Sequence, residues 1–117
     1  MARCQRFKCG YSYSDVWDMD YWFITTVKPM LIHIRDYGMG VPLEFENNPD
    51  DWRAVPTEMT DCLTLMEEDN VYEKLFGENW FEMDLNADDY KLIWETMEAN
   101  KNRFFELFSQ YFYNLWD

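Results

Sequence analysis

Bases are scarce in this chain: ten Lys and Arg stand against 23 Asp and Glu in 117 residues, a net charge of −13. Such a surface repels phosphate, which excludes nucleic-acid binding through the body of the protein. Histidine occurs once and cysteine three times. The odd cysteine count argues against a closed disulfide framework and suits a reducing compartment. His33 is the one imidazole that could serve a cysteine nucleophile, and no local pattern brings the two together. Glycine and proline number four each, with no Gly-rich phosphate loop and no flexible linker among them. They mark turns inside one domain rather than a boundary between two. No window approaches the ~20 apolar residues of a membrane span. The first nine residues carry Arg3, Arg6 and Lys8 without the apolar run of about 7–15 residues that a secretory signal needs.

Aromatic residues are plentiful. Six Trp, eight Tyr and nine Phe make 20% of the chain, whereas disordered acidic proteins lack the material for a core. A single domain over residues 1–117 is expected, burying about two-thirds of the surface of its unfolded chain. Charge divides within it. The basic tail, residues 1–10, holds +3, and the rest holds seven bases and all 23 acids, or −16.

The spacing predicts an all-α fold with three main helices, an irregular middle and a long C-terminal helix. Ser12-Tyr13-Ser14-Asp15 reads as a capping box. Val16, Met19, Trp22, Phe23, Val27, Met30, Leu31 and Ile34 then recur at helical steps, with a kink expected at Pro29 and a left-handed cap at Gly38. Residues 39–48 read as a connector. Asn48-Pro49-Asp50-Asp51 is a strong helix start, for a helix reaching about Asp69 with a break or kink at Pro56. Val71 to Phe76 adds a short helical piece stopped by Gly77, and residues 78–85 read as loop or short strand. Asn86 caps the last helix. Along it Tyr90, Trp94, Met97, Lys101, Phe104, Phe108, Tyr111 and Leu115 form a four-three stripe, read as the face that packs on the rest of the domain. Phe105, Phe112 and Trp116 widen that face, so the helix is either nearly encircled or offers part of this row to a partner.

Few side-chain constellations carry chemistry. Asp84, Asn86, Asp88 and Glu95 match positions 1, 3, 5 and 12 of a calcium loop, but Asp89 stands where that loop requires glycine, and a capped helix start explains them better. Cys4, Cys9, Cys62 and His33 have neither the spacing nor the clustering of a zinc site, and a partly buried His33 with unpaired thiols is expected. Carboxylate pairs sit where caps and solvated faces place acids, so no catalytic residue, metal or cofactor is assigned. The remaining use of the acids is collective. A rigid acidic surface can occupy the positively charged channel of a nucleic-acid-handling protein, with opposite charges steering the encounter and aromatic residues anchoring it.

Tyr11-Ser12-Tyr13-Ser14-Asp15-Val16-Trp17-Asp18-Met19-Asp20-Tyr21-Trp22-Phe23, followed by Lys28-Pro29-Met30-Leu31, resembles a group of small acidic phage and prophage proteins. Gly40-Val41-Pro42, matched loosely, Asp50-Asp51-Trp52 and the ending Arg103-Phe104-Phe105-Glu106-Leu107-Phe108-Ser109 to Trp116-Asp117 extend the resemblance over most of the chain. It implies phage origin and transfers no catalytic residue. In size and charge alone the chain also resembles anti-CRISPR proteins. The resulting expectation is a non-enzymatic inhibitor in the bacterial host cytoplasm, binding a basic partner such as a Cas nuclease as a DNA mimic. Its partner-binding residues would be Asp50, Asp51, Glu67, Glu68, Asp69, Glu73, Asp84, Asp88 and Asp89, with Trp80 and Phe81 as anchors. The alternatives are a self-associating phage structural or assembly protein using the Tyr90–Leu115 stripe, and a small metal protein or enzyme using the cysteines and His33.

Overall fold

The computed structural model describes residues 18–38 and 40–116. The expected capping box at Ser12–Asp15, the basic tail, and Cys4 and Cys9 lie outside the described residues. Among those described, the chain forms four α-helices and no strand: α1 Met19–Tyr37, α2 Pro49–Thr64, α3 Glu68–Phe76 and α4 Ala87–Gln110. Short 3-10 turns at Leu43–Phe45, Trp80–Glu82 and Phe112–Asn114 complete the backbone. The stretch expected as loop or strand before α4 is therefore loop with one 3-10 turn.

Helix starts follow local chemistry. Pro49 opens α2 with Asp50 and Asp51 in its first turn, where acids meet the positive end of the helix dipole. Asn86 opens α4 with a reciprocal capping box: its Oδ1 accepts the Asp89 N–H at 2.9 Å, and Asp89 Oδ2 accepts the Asn86 N–H at 3.0 Å.

Helix ends depart further from expectation. Pro29 and Pro56 both lie inside helices, and neither ends one. The break or kink expected at Pro56 is not a break, since α2 runs through it to Thr64 and the chain turns at residues 65–67. There the Asn70 amide donates to the Thr64 carbonyl at 3.0 Å and satisfies the end of α2, so the chain can turn into α3. Gly38 is extended (φ −63°, ψ 136°) rather than left-handed. Its need for glycine is close approach, since a Cβ would stand 2.5 Å from the Ile34 carbonyl oxygen. Gly77 does take the left-handed side, at φ 91°, and ends α3 as expected.

Two apolar clusters hold these elements. In the larger, α2 lies between α1 and α4. Ile24 and Leu31 meet Trp52, Met59, Cys62 and Leu63, and these meet Phe104, Leu107 and Tyr111. Phe23 reaches from α1 to α4, with its ring 5.8 Å from Phe104 and 6.1 Å from Phe108. Arg103 adds a two-pronged ion pair from α4 to Glu58 on α2, Nε–Oε2 2.6 Å and NH2–Oε1 3.0 Å, which holds the Glu58 carboxyl below its ordinary range. The smaller cluster has three buried residues, Val71 and Tyr72 of α3 with Ile93 of α4, flanked by Leu65, Leu75, Phe76, Trp80, Leu85 and Met97. Helix α4 thus serves both clusters. The whole extends 49 × 41 × 22 Å, a slab about two helix diameters thick.

Candidate functional site: an acidic aromatic cleft

The register of α4 decides which aromatics remain available. Its buried residues are Ile93, Phe104 and Leu107, with Tyr111 just beyond its end. Ile93, Met97, Asn100, Phe104, Leu107 and Tyr111 form a four-three stripe that shares Met97, Phe104 and Tyr111 with the expected one. Asn100 can face inward because its amide donates to the Thr96 carbonyl at 2.8 Å, within its own helix. Tyr90 and Trp94, expected to pack, are instead 53% and 62% exposed. Phe105, Phe112 and Trp116 also lie exposed, whereas Phe104 and Tyr111 are consumed by the core.

Tyr90 and Trp94 border a cleft of about 150 Å³ between α3 and α4, lined also by Glu68, Tyr72, Ile93 and Met97. Tyr72 is its fixed wall. Trp80 stacks on the Tyr72 ring at 4.4 Å with 14° between planes, and Tyr90 meets it edge-on at 6.5 Å. The Tyr72 hydroxyl donates to Glu68 Oε1 at 2.9 Å. That bond, with burial second, pushes the phenol pKa up to about 12, because ionisation would set two like charges together.

The sequence-selected acids divide between the two ends of the molecule. Asp50 and Asp51 are exposed at the start of α2, beside Trp52, whose ring lies 5.3 Å from Tyr111 at the far end of α4. Asp50 approaches Arg53 at 3.9 Å. Asp88 and Asp89 occupy the other end of α4, about 35 Å away at 1.5 Å per residue. Glu67 precedes α3, Glu68 and Asp69 lie in its first turn, and Glu73 follows on an exposed position. Asp84 is exposed in the loop before α4, and Asp89 is engaged in the capping box. Of these acids Glu68 lines the cleft, the others at 67–73 lie on or beside α3 and those at 84–89 lead into α4, while Asp50 and Asp51 do not join them. Of the two expected anchors, Phe81 is 67% exposed, and Trp80 is half-buried against Tyr72.

Charge is concentrated in the segment that forms this cleft. Residues 65–98 hold eleven acids and two bases, Lys74 and Lys91. Lys91 approaches Glu95 at 3.9 Å, while Glu67, Glu68, Asp69, Glu73, Asp84, Asp88 and Asp89 form no ion pair among the described residues. Elsewhere His33 is exposed rather than partly buried, with its ring 5.3 Å from Tyr37. Cys62 is buried in the larger cluster, which raises its thiol pKa. No three His, Cys, Asp or Glu side chains gather to hold a metal among the described residues. No helix among them is long and apolar enough to cross a membrane. No family model, curated protein or solved structure matches this chain.

Proposed function

We propose that this chain is a phage-encoded inhibitor that acts in the bacterial host cytoplasm by binding a basic, nucleic-acid-handling defence protein such as a Cas nuclease. The observation that carries the reading is the excess acidity of residues 65–98, eleven acids against two bases, on a folded surface that also exposes Phe81, Tyr90 and Trp94. Solubility alone asks for a net charge of about 2–8 on a small domain, spread without bias. Here the excess gathers at one end, where it raises the encounter rate with a positive channel and competes with phosphate for it. The partner surface is accordingly the α3–α4 end, and Asp50 and Asp51 lie outside it.

Cleavage by a purified guide-loaded Cas nuclease, with and without this protein, tests the proposal. Inhibition should weaken steeply as salt rises through the physiological range, and the triple reversal Glu67→Lys, Glu68→Lys, Asp69→Lys should abolish it. Inhibition indifferent to both salt and reversal would overturn the mimicry. A second reading, a self-associating phage structural or assembly protein, draws on the exposed row Phe105, Phe112 and Trp116.

A further inference from the structure

We propose that the cleft between α3 and α4 is the seat for an arginine side chain of the basic partner. The inference rests on the reading of that partner as basic and assigns the residues that receive it.

Three properties of the cleft select the guest. Its lining holds three aromatic rings, Tyr72, Tyr90 and Trp94, and aromatic π density attracts a cation. Its apolar base, Ile93 with Met97, suits the methylene stem of a long side chain. Its rim carries a carboxylate already aimed, because the Tyr72 hydroxyl holds Glu68 Oε1 at 2.9 Å while no hydrogen bond to Oε2 is made among the described residues. An apolar guest would strip water from Glu68 without replacing its hydrogen bonds, and an anionic one would meet the surrounding acids. A cationic guest satisfies walls, base and rim together.

Arginine fits better than lysine. A guanidinium is planar, stacks on aromatic faces and is weakly hydrated, whereas an ammonium is a compact, strongly hydrated point charge. Its several donors can reach Glu68 Oε2 while its plane lies against Trp94. The cleft wall does not have to form on binding, because the stack of Trp80 on Tyr72 fixes it in the free protein.

Nuclear magnetic resonance titration of the Trp94 indole N–H tests the seat, using the synthetic peptide Gly-Arg-Gly-Arg-Gly-Arg and counterparts bearing lysine or uncharged citrulline. The arginine peptide should shift that resonance saturably and bind about fivefold tighter than the lysine peptide, with no saturable shift from citrulline. Glu68→Gln, and Trp94→Ala followed on the backbone amides of α3 and α4, should each weaken the arginine peptide by about fivefold or more, whereas Glu106→Gln, at the far end of α4, should change affinity less than about twofold. Both test positions are exposed, and circular dichroism on each variant verifies the fold. Equal binding of arginine and lysine peptides, unmoved by Glu68→Gln and Trp94→Ala but lost on Glu67→Lys with Asp69→Lys, would overturn the seat and leave the basic-partner reading standing. Absence of binding by either cationic peptide at low salt would overturn both.

Discussion

Tyr72 is held on three sides: Trp80 covers its face, Tyr90 meets its edge, and Glu68 accepts its hydroxyl. Its phenol is pushed up to about 12. A folded-state pKa above the unfolded value near 10 means that the contribution to stability is complete below pH ~10 and disappears as pH rises through ~12. In an alkaline titration followed by phenolate absorbance, a component near pH 12 should therefore vanish in Tyr72→Phe. Tyr111, raised chiefly by burial, should remain late in both proteins. At this scale the sequence announces acids and aromatics but not their employment. Trp80 and Trp94 are the same residue type, one supporting the fold and the other facing water. The distinction depends on which side of α4 Ile93 occupies, and no property of either tryptophan reports it.

Elements were legible where their determinants are local. The Pro-Asp-Asp start of α2, the Asn86 cap of α4 and the Gly77 stop of α3 all act within a few residues of themselves, so the sequence displays them directly. Asn86→Ala removes the acceptor for the Asp89 N–H on an exposed turn. It should lower stability by about 1 kcal/mol, read as a fall of about 4 °C in Tm by circular dichroism. Ends set by tertiary packing were not legible. The expected continuation of α2 to Asp69 fails because Val71 and Tyr72 must turn towards Ile93, and Asn70 closes the Thr64 carbonyl where that turn begins. The α4 stripe was ambiguous for a related reason. Two four-three registers share Met97, Phe104 and Tyr111, each containing one polar residue, Lys101 or Asn100. Only the partner helices choose between them.

Across the whole molecule, shape and charge point in the same direction. A slab 22 Å thick leaves each helix near solvent. Exposed Phe105, Phe112 and Trp116 lie along the C-terminal end, away from the acidic cleft, and could support self-association. The net charge of −13 opposes it. Light scattering at micromolar concentration should accordingly return the 14.4 kDa monomer. A stable dimer dispersed by Phe112→Ser would shift the weight to an assembly role. Phe104 and Tyr111 do not belong in that test, since both are spent in the larger cluster.

The smaller cluster contains three buried residues, one of them Ile93 of α4, while the larger one holds Phe104 and Leu107 of the same helix. Stability in such an arrangement is graded, with the lightly buried part able to open while the rest stays folded. Mutational tolerance then divides along the same line. Changes in α3 should therefore alter the acidic end while leaving the global melting transition nearly intact, on a frame that does not have to change with it.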